Sequence, residues 1–331
     1  MIDIEGKRIV MTGATGFIGR NVAQQLLNCG AEVYALVRNG SKQRKYLPKS
    51  SNMHIMNGDL THIKEALCEA GLLNRNFSIN RDGDFIEGYL QPQNDEANDL
   101  SQNAKRASAD IFLHFAWGGV NREEIDSSIV QQKNIEDSLV CLEAGHMLGC
   151  QLFMDAGSRV EYGVTEDGIM KEDMECHPVN AYGKAKLDFY QKAKLLCKTW
   201  GMTYEHLRYF SVYGVGDHPW SIISTLTRDL PLGKTVSLSA CMHRWNFMDI
   251  EDASRAVLEL IRHSDVVTGE THIINVASND TRRLKEFVEE IHILCSGKGT
   301  LQFGTFVQAK EGALSICPDT EQLRILTENT W

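Results

Sequence analysis

The sequence predicts an α/β fold in which helices cover both faces of a doubly wound parallel sheet, with a smaller C-terminal lobe. Short apolar runs alternate with segments of helical periodicity through most of the 331 residues. A parallel sheet between two helical layers requires this pattern. The composition, with 43% hydrophobic and 24% charged residues, is that of a globular protein long enough to bury a sizeable core.

Apolar runs predict the strands of this sheet. They are, in order, KRIVMTG, EVYALVR, MHIMNGD, ADIFLHFAW, CQLFMDAG, TYEHLRYFSVYG and THIINVAS. The helix RNVAQQLLNCG follows the first run, with Gly30 as its predicted C-cap. A long helix is predicted around IVQQKNIEDSLVCLEAGHML, and another begins in NAYGKAKLDFY.

Two segments interrupt the alternation of strands and helices. Residues 74–109 are polar and rich in Asn and Asp, and they form either a hairpin over the site or a surface insertion. From about residue 213 the chain changes to short elements. We therefore expect a main domain of residues 1–212 plus about 246–276, and a smaller lobe of about 213–245 plus 277–331.

Charge and cysteine usage exclude several classes of protein. The net charge is −10, from 34 basic and 44 acidic residues, and without a basic stripe the chain is not expected to bind nucleic acid. Nine cysteines form no C-x-x-C pair and eleven histidines form no H-E-x-x-H motif, so we expect reduced thiols and no metal site. The N-terminus has no apolar signal core, and no run reaches about eighteen apolar residues. A cytoplasmic protein without membrane contact is expected.

The first strand leads into a glycine loop, TGATGFIGR, that opens a helix. Its three glycines have the spacing G-x-x-G-x-x-G, one residue longer than the familiar dinucleotide fingerprint. Glycines permit a tight turn and a close approach of the backbone to a pyrophosphate, whose charge the helix N-terminus favours. An ordinary turn also uses glycine, but the strand–turn–helix context favours a Rossmann-type dinucleotide site. The residues assigned to it are Gly13, Thr15, Gly16, Phe17, Ile18 and Gly19.

The end of the second strand distinguishes between the two nicotinamide dinucleotides. NAD requires an acidic residue there for the 2′-hydroxyl of the adenosine ribose, but the sequence EVYALVRNGSK places Arg38 at this point. An arginine can bind a 2′-phosphate through two hydrogen bonds, so NADP(H) is favoured as the cofactor. A solvated surface arginine, compatible with NAD(H), is the alternative.

Two further strand ends are expected to line the cofactor. Asp59, followed by Leu60, ends the third strand near the adenine end. Ala116 ends the fourth strand, where a small side chain lets the backbone approach the cofactor, and Trp117 follows it. Trp117 is either a core residue or a site residue, and its place at the carboxyl end of a parallel strand favours the site.

Tyr182 and Lys186 share one face of a predicted helix, one turn apart. Tyrosine has a reference pKa of about 10, and a neighbouring ammonium group, together with a positive nicotinamide, is expected to lower that pKa. Ser158 ends the fifth strand. The carboxyl ends of parallel strands open onto the crevice that binds the cofactor, so Ser158 is expected near Tyr182. We predict that Tyr182 transfers a proton, that Ser158 hydrogen-bonds the substrate oxygen, and that Lys186 tunes Tyr182 and binds the nicotinamide ribose. Tyr182 and Lys186 are both also assigned to the cofactor site.

The motifs of the chain, taken in order, resemble those of the extended short-chain dehydrogenase/reductases, the nucleotide-sugar epimerase/dehydratase family. The matching segments cover most of the length and are TGATGFIG, GDL, HFAW, GSRVEYG, YGKAK, LRYFSVYGVGD and WNFMDIEDA. The resemblance implies a nucleoside-diphosphate sugar as substrate. It also implies that Asn134 is structural and that a homodimer forms through the helices of Asn134 and Tyr182.

Departures from that family narrow the expected reaction. Its 4,6-dehydratases place an acid two residues before the tyrosine of the YG pair, where this chain has Val160, preceded by Arg159. Glu161 is adjacent, but neighbouring side chains on a strand face opposite ways. Because decarboxylases of the family use a similar glutamate, dehydration and decarboxylation are both disfavoured.

The smaller C-terminal lobe, which is expected to bind the substrate and is called the substrate lobe below, departs from the family as well. In many members an arginine of R-D-F-x-x-V-x-D binds the diphosphate, and the aligned position here is Trp245. Arg244 precedes it and would reach the diphosphate only through a bulge, and Ser211 replaces a sugar-contacting asparagine. The candidate substrate-binding residues are Trp117, Arg159, Ser211 and Arg244.

These features favour an NADP(H)-dependent reductase of a 4-keto-6-deoxy sugar nucleotide in deoxysugar biosynthesis. The main alternative is an epimerase, which oxidises and re-reduces one sugar on tightly bound NAD(H). A reductase of a non-sugar carbonyl is a further alternative. A catalytically silent NADP-sensing protein is another, although such proteins typically lose the Tyr/Lys pair that this chain keeps.

Overall fold

A computed structural model describes residues 2–79, 85–90, 108–165, 169–264, 269–305 and 315–327. Its strands are β1 (Arg8–Thr12), β2 (Glu32–Val37), β3 (Met53–Asn57), β4 (Asn74–Ile79), β5 (Phe85–Leu90), β6 (Ile111–His114), β7 (Leu152–Ser158), β8 (Thr203–Tyr209), β9 (Ser211–Tyr213), β10 (Thr235–Ser237), β11 (Arg244–Asp249), β12 (Thr271–Val276), β13 (Thr281–Arg283) and β14 (Thr300–Gln302). Its α-helices are α1 (Phe17–Asn28), α2 (Ile63–Glu69), α3 (Ser128–Met147), α4 (Ala181–Trp200), α5 (Ile222–Asp229), α6 (Ile250–His263), α7 (Leu284–Leu294) and α8 (Glu321–Leu326).

The central sheet has seven parallel strands in the order β12-β8-β7-β6-β1-β2-β3. From β1 the chain moves outwards to β3, returns across β1 to β6, and then moves the other way. The strand order therefore reverses between β1 and β6, and the carboxyl ends of these strands flank the crevice in which doubly wound folds bind ligands. The predicted fold class is confirmed.

Helices cover both faces of the sheet, and each face has its own apolar core. One core packs α1 and α6 against the strands, around Leu26 and Val257. The other packs α2, α3 and α4 around residues such as Phe112 and Phe189. Because both faces are covered, all four residues of β6 are buried, as expected for an inner strand of a parallel sheet. The two cores fix the strand ends at which the site lies.

A small sheet with its own apolar cluster lies beyond the main sheet. Its strand order is β13-β11-β9, with β11 parallel to β9 and antiparallel to β13. The cluster around Leu226, Leu230 and Val288 packs α5 against α7. The small sheet includes β9 and the end of β11, which the sequence argument assigned largely to the main domain. The domain boundaries themselves stay a prediction.

The polar insertion contains a hairpin, because β4 pairs with β5 antiparallel. Residues 80–84 and 91–107 lie outside the described residues, so a position of the insertion over the site stays a prediction. All nine cysteines are free. Among the helices that the structure describes, none is long and apolar enough to cross a membrane.

Candidate active site

The glycine loop packs directly against the end of β6. A Cβ atom on Gly13, which has a φ of +74°, would lie 2.5 Å from the carbonyl carbon of Phe115 and 2.6 Å from the nitrogen of Ala116. A Cβ atom on Gly19 would lie 2.2 Å from the carbonyl oxygen of Gly13. Neither position therefore accepts a side chain without movement of the backbone. The two glycines bring the loop, α1 and the end of β6 into close contact at the crevice.

The N-terminus of α1 is open for an anionic ligand. Its N-cap is Gly16, which supplies no side-chain cap, and the first turn, which begins with Phe17 and Ile18, contains no acidic residue. Gly16 is exposed and Thr15 is partly buried. Unpaired N–H groups and the helix dipole favour a phosphate at such an end. These residues therefore fit the pyrophosphate of a dinucleotide.

The predicted adenosine contacts lie on adjacent strand ends. Arg38 follows β2 and is exposed, and Asp59 follows β3 with Leu60 partly buried beside it. The Asp59 carboxylate accepts hydrogen bonds from the backbone N–H of His62 at 3.0 Å and from its Nδ1 at 2.8 Å. The side-chain bond lowers the pKa of Asp59, so the group is a carboxylate. Arg44, which sequence reasoning did not single out, lies nearby and donates to Asn57 Oδ1 at 3.0 Å.

A buried chain of hydrogen bonds ties β1 to β6 beneath the crevice. His114 Nδ1 lies 2.9 Å from Thr12 Oγ1, and its Nε2 lies 2.8 Å from Ser138 Oγ on α3. The Ala116 N–H donates to Thr12 Oγ1 at 3.3 Å. Burial lowers the pKa of His114 to about 3, with the charge of Lys186 acting in the same direction. The imidazole is therefore neutral and serves to fix the strand ends.

Asn134 and Gln131 on α3 hold the segment that follows β6. Asn134 accepts from the Gly118 N–H at 3.0 Å and donates to the Gly118 oxygen at 2.9 Å. Gln131 accepts from Trp117 Nε1 at 2.9 Å. Asn134 thus supports the backbone, as a structural residue would. Trp117 is partly buried and its ring meets that of Tyr182 edge to face, with centroids 6.2 Å apart.

The structure brings Ser158, Tyr182 and Lys186 together. Ser158 ends β7, and Tyr182 lies in the first turn of α4, whose N-cap Asn180 accepts from the Gly183 N–H at 2.7 Å. The Ser158 hydroxyl lies near enough to the phenol of Tyr182 to lower the pKa of that phenol. One turn further, Lys186 lies with its Nζ 5.9 Å from the centre of the Tyr182 ring. The arrangement can deliver a proton to one oxygen atom next to Ser158.

Lys186 is held by an acceptor and an aromatic face. Its Nζ donates to the Ala156 oxygen at 2.6 Å and lies 3.5 Å from the centre of the Trp117 ring. Burial lowers the pKa of Lys186 to about 8, although Asp155 and Glu161 oppose the change. The ammonium group therefore keeps its charge near neutral pH but releases a proton more easily than an exposed lysine.

The protonation of Tyr182 differs from the sequence-based expectation. Burial raises the pKa of Tyr182 to about 12, and the main opposing influences are the Ser158 hydroxyl and the positive charge of Arg159. From the sequence, Lys186 and a positive nicotinamide together were expected to lower this pKa, but the Lys186 Nζ is directed to the Ala156 oxygen. Tyr182 is thus a neutral phenol at neutral pH. A neutral phenol is the form that can donate a proton.

A buried ionic cluster lies beneath the turn that follows β7, residues Arg159–Glu161, which we call the catalytic turn. The cluster is formed by Asp155, Glu161, Tyr204, His206 and Arg208. Asp155 on β7 pairs in register with His206 on β8, and His206 Nδ1 donates to its carboxylate at 2.8 Å. His206 Nε2 and Arg208 Nε both donate to Glu161 Oε2, each at 2.9 Å. Tyr204 donates to Asp155 Oδ1 at 2.8 Å. Sequence reasoning missed this cluster, although the alternation of Tyr204, His206 and Arg208 on one strand face was its signal.

Glu161 acts as a cap for the catalytic turn. Residues Arg159–Glu161 form a 3-10 turn after β7, and Glu161 Oε1 accepts from the Ser158 N–H at 2.6 Å. The sequence argument placed Glu161 on a strand, which was wrong because β7 ends at Ser158. The carboxylate nevertheless faces His206 and Arg208 below the turn. With Val160 at the dehydratase position, neither residue supplies an acid beside Tyr182.

A cavity of about 210 Å³ opens between the small sheet and α5. Trp245 and Phe247, two residues apart on β11, line one wall, and Ser211 on β9 lies beside them. Tyr213, Asp217 and Ser221 complete a mixed apolar and polar lining. Ser211 therefore lines a half-open cavity, and its contact with a sugar stays a prediction.

The two candidate arginines have different surroundings. The Arg159 guanidinium lies 5.4 Å from the centre of the Trp245 ring. Burial lowers the pKa of Arg159 to about 10. Arg244 is exposed and donates to the Thr281 oxygen at 3.1 Å. Because β11 pairs regularly with β13 through residues 244–246, no bulge turns Arg244 towards the site, and Arg244 faces away from Trp245 as the sequence indicated.

Among the described residues, no cluster of three or more His, Cys, Asp or Glu side chains could hold a metal ion.

Comparison with known proteins gives a match to a family and to individual relatives. The sequence of residues 9–277 matches the NAD dependent epimerase/dehydratase family. The dTDP-6-deoxy-L-talose 4-dehydrogenase (NAD(+)) of Aggregatibacter actinomycetemcomitans is 25% identical over 286 residues, covering 85% of this chain and 88% of that protein. The CDP-abequose synthase of Yersinia pseudotuberculosis is 22% identical, covering 85% and 82%. A UDP-glucose 4-epimerase of Corynebacterium glutamicum is 21% identical, covering 98% and 94%.

Solved structures share the fold over nearly the whole chain. The UDP-N-acetylglucosamine 4-epimerase of Methanobrevibacter ruminantium, in complex with UDP-N-acetylmuramic acid, superposes with a TM-score of 0.75 at 18% identity, covering 98% of this chain and 92% of that one. MoeE5 in complex with UDP-glucuronic acid and NAD superposes with a TM-score of 0.68 at 21% identity, covering 97% and 92%. At these identities the likeness concerns the fold alone.

Proposed function

The chain belongs to the NAD-dependent epimerase/dehydratase family, and we propose that it reduces the C4 carbonyl of a 4-keto-6-deoxy nucleoside-diphosphate sugar. The observation that carries this proposal is the meeting of Ser158, Tyr182 and Lys186 at the carboxyl end of the sheet, beside the open N-terminus of α1. The relative named as a 4-dehydrogenase of a dTDP-6-deoxy sugar supports the same carbon and the same class of sugar.

The residues that would hold a nicotinamide dinucleotide are those of the glycine loop, with Arg38 and Asp59 at the adenosine end and Ala116 beside the loop. When bound, the cofactor supplies the hydride that adds to the carbonyl carbon. Tyr182 donates its proton to the carbonyl oxygen, and the Ser158 hydroxyl hydrogen-bonds that oxygen. Because burial holds the pKa of Tyr182 at about 12, the donor form predominates at neutral pH.

The positive charges around Tyr182 stabilise the phenolate that remains after proton transfer. Arg159 already favours that anion electrostatically. Lys186 keeps its ammonium group one turn away, at the Ala156 oxygen, where it can also reach the ribose of the cofactor. Charge that develops in a buried site is stabilised more effectively by fixed groups than by water.

Elimination of water is not part of this proposal. The dehydratase acid is replaced by Val160, and the neighbouring Glu161 is engaged with the Ser158 N–H, His206 and Arg208. A carboxylate with these partners has no free oxygen to direct at the sugar. The lowered pKa of Glu161, which His206 and Arg208 maintain against burial, also makes it a poor acid.

The preference for NADP(H) rests on Arg38. This arginine is exposed directly after β2, where an acidic side chain would favour NAD(H). Several structural neighbours are described in complex with NAD, and NAD(H) is the alternative.

The Kd of NADPH and NADH should be measured for the wild type, for Arg38→Ala and for Lys192→Ala, an exposed control on α4. Loss of about tenfold or more in NADPH affinity only in Arg38→Ala supports the preference, and equal affinities contradict it.

An epimerase is the second candidate, because several relatives are named UDP-glucose 4-epimerase. Epimerisation and net reduction differ in whether the cofactor stays bound between turnovers. The protein should be purified without added cofactor and denatured, and any released dinucleotide identified. Stoichiometric NAD would support the epimerase, whereas an empty protein that oxidises NADPH with a 4-keto sugar nucleotide supports the reductase.

The assembly that we propose is a homodimer through α3 and α4 in the cytoplasm, where the nine free thiols would stay reduced. Each helix exposes an apolar side chain, Ile129 at 83% and Leu195 at 68%, which a dimer interface would bury. Light scattering should give twice the chain mass for the wild type and less for Ile129→Asp with Leu195→Asp. A monomeric wild type would contradict the dimer.

A further inference from the structure

Besides His206, three cations surround the catalytic turn, and for one of them the described residues supply no carboxylate. Arg208 donates to the Glu161 carboxylate at 2.9 Å. Lys186 donates to the Ala156 oxygen at 2.6 Å, with Asp155 acting on its charge. In the described part of the chain, the Arg159 guanidinium contacts the face of Trp245 and has no carboxylate partner. Arg159 is partly buried, and a partly desolvated charge without a partner is stabilised when a ligand supplies the opposite charge.

Arg159 also lies between the catalytic residues and the cavity of the small sheet. It follows Ser158, whose hydroxyl faces the reacting oxygen, and its charge acts on the Tyr182 phenol. On its other side the guanidinium lies 5.4 Å from the centre of the Trp245 ring, and Trp245 lines the cavity of the small sheet. A substrate that joins the catalytic residues to this cavity must pass next to Arg159.

Other arginines near the cavity are engaged elsewhere. Arg244 points to the opposite face of β11 and donates to the Thr281 oxygen. Arg282 faces the same way as Trp245 but pairs with Asp280 at 3.1 Å and with Glu290. Arg159 is therefore the arginine of this group whose donors are available. Its planar fork of donors matches a group with two charged oxygens.

We propose that Arg159 is a receptor for an anionic oxo group of the substrate, a carboxylate on the sugar or a phosphate of the diphosphate. The inference rests on the proposed function for the identity of the ligand as a sugar nucleotide. Two sources of the anion are compatible with the position of Arg159. A carboxylate at C6 would take the place of the 6-deoxy carbon of the proposed substrate and would lie close to a reacting C4, whereas the diphosphate at C1 lies across the ring. The burial that lowers the pKa of Arg159 to about 10 leaves it charged at neutral pH, as an anion receptor requires.

The test measures anion binding rather than turnover. The protein is first saturated with NADP⁺ or NAD⁺, whichever binds more tightly, so that the glycine loop is filled. Calorimetric titrations with inorganic pyrophosphate and with D-glucuronate are then compared for the wild type, Arg159→Gln, Arg159→Lys and the control Arg244→Gln. We expect Arg159→Gln to lose about tenfold or more in affinity for one of the probes. Arg244→Gln should bind as the wild type, and Arg159→Lys should bind between the two.

Each outcome decides the proposal or the source of the anion. Loss of pyrophosphate binding supports the diphosphate as the anion. Loss of glucuronate binding supports a sugar carboxylate, and it replaces the 6-deoxy sugar of the proposed function by a sugar acid. Unchanged affinity for both probes in Arg159→Gln, or no binding of either probe by the wild type, overturns the proposal. Because no turnover is measured, an anion site can stand while reduction of 4-keto sugars fails, and the two failures are distinguishable.

Discussion

Arg208 and Arg159 lie on opposite sides of the catalytic turn and have opposite surroundings. Arg208 belongs to the buried ionic cluster, where Glu161 raises its pKa against the effect of burial. Arg159 faces the substrate lobe, where burial lowers its pKa to about 10 and no carboxylate opposes the change. On the cluster side Arg208 has a carboxylate partner in Glu161, which also fixes the position of Ser158. The lobe side has an unmatched charge, so it is suited to a ligand.

The cluster is balanced because Asp155 on β7 meets His206 on β8, and Glu161 in the turn after β7 meets His206 and Arg208. Asp155 and His206 are paired in the register of β7 and β8, and Glu161 links His206, Arg208 and the Ser158 N–H. A buried pair contributes little over an apolar pair, but removal of one partner leaves a buried charge unmatched. The two sides should therefore respond differently to the same kind of substitution.

The largest effect is expected from Glu161→Gln. The substitution removes the negative charge that Arg208 and His206 share, and it should lower the free energy of unfolding by about 3–5 kcal/mol. Urea unfolding followed by circular dichroism measures this change. Asp188→Asn, which breaks an exposed pair with Lys192, is the control and should change it by less than about 1 kcal/mol. Similar effects of both substitutions would contradict a special role of the cluster.

The second prediction concerns pH and His206. Burial opposes its charge, but Asp155 and Glu161 raise the pKa of His206 to about 9. A raised pKa in the folded state contributes stability that is complete below the unfolded pKa of about 6.5 and is lost as the pH rises through about 9. The free energy of unfolding should therefore fall by up to about 3 kcal/mol over this window.

The pH dependence is checked by urea unfolding at several pH values for the wild type and His206→Gln. His206→Gln should be less stable at neutral pH and should lack the decline between neutral and alkaline pH. An identical decline in both proteins would show that other groups cause it.

The sequence predicted the parts of the site that local backbone geometry dictates. The glycine loop, the strand ends and the one-turn spacing of Tyr182 and Lys186 follow from patterns within a few residues. The cluster joins residues far apart in the chain, from Asp155 to Arg208, and it depends on the register of two strands. The sequence of one strand alone does not determine its register with the other strand. The alternation of polar residues on β8 indicated only that something polar faced one side.

The lobe was harder to predict for a related reason. The role of Arg244 depended on a bulge, and the regular pairing of β11 with β13 excludes it. The turn at Glu161 depended on where β7 ends, which periodicity fixes poorly. In both cases a difference of one residue reverses the direction of a side chain.

A third prediction compares two glycines with left-handed backbones. Gly40 has a φ of +70° and open space around its Cβ position, whereas Gly13 has a φ of +74° and the backbone of Phe115 within 2.5 Å. Gly40→Ala should cost only the strain of the backbone, about 1–2 kcal/mol. Gly13→Ala adds a displacement of the end of β6, so it should be less stable and bind the dinucleotide more weakly. Thermal unfolding and cofactor titration measure both quantities. Equal behaviour of the two variants would contradict the close packing of the loop.

The smallest effect is expected from Arg159→Gln on the protein without substrate. Its guanidinium has only the Trp245 face as a partner in the described residues, an interaction of about 0.5–2 kcal/mol, and removal of an unmatched charge offsets that loss. The free energy of unfolding should therefore change by less than about 1 kcal/mol. The matched variant Arg208→Gln should lose about 3–5 kcal/mol. A large loss in Arg159→Gln would make Arg159 a structural residue like Arg208.

The most direct test of the account compares Tyr182→Phe with the wild type in the oxidation of NADPH by a 4-keto-6-deoxy sugar nucleotide. Without the proton donor, kcat should fall by about 100-fold or more, while the Kd of the dinucleotide stays unchanged because the phenyl ring keeps its packing. Turnover that survives in Tyr182→Phe would contradict the assignment of Tyr182 as the proton donor, and with it the mechanism built on this site.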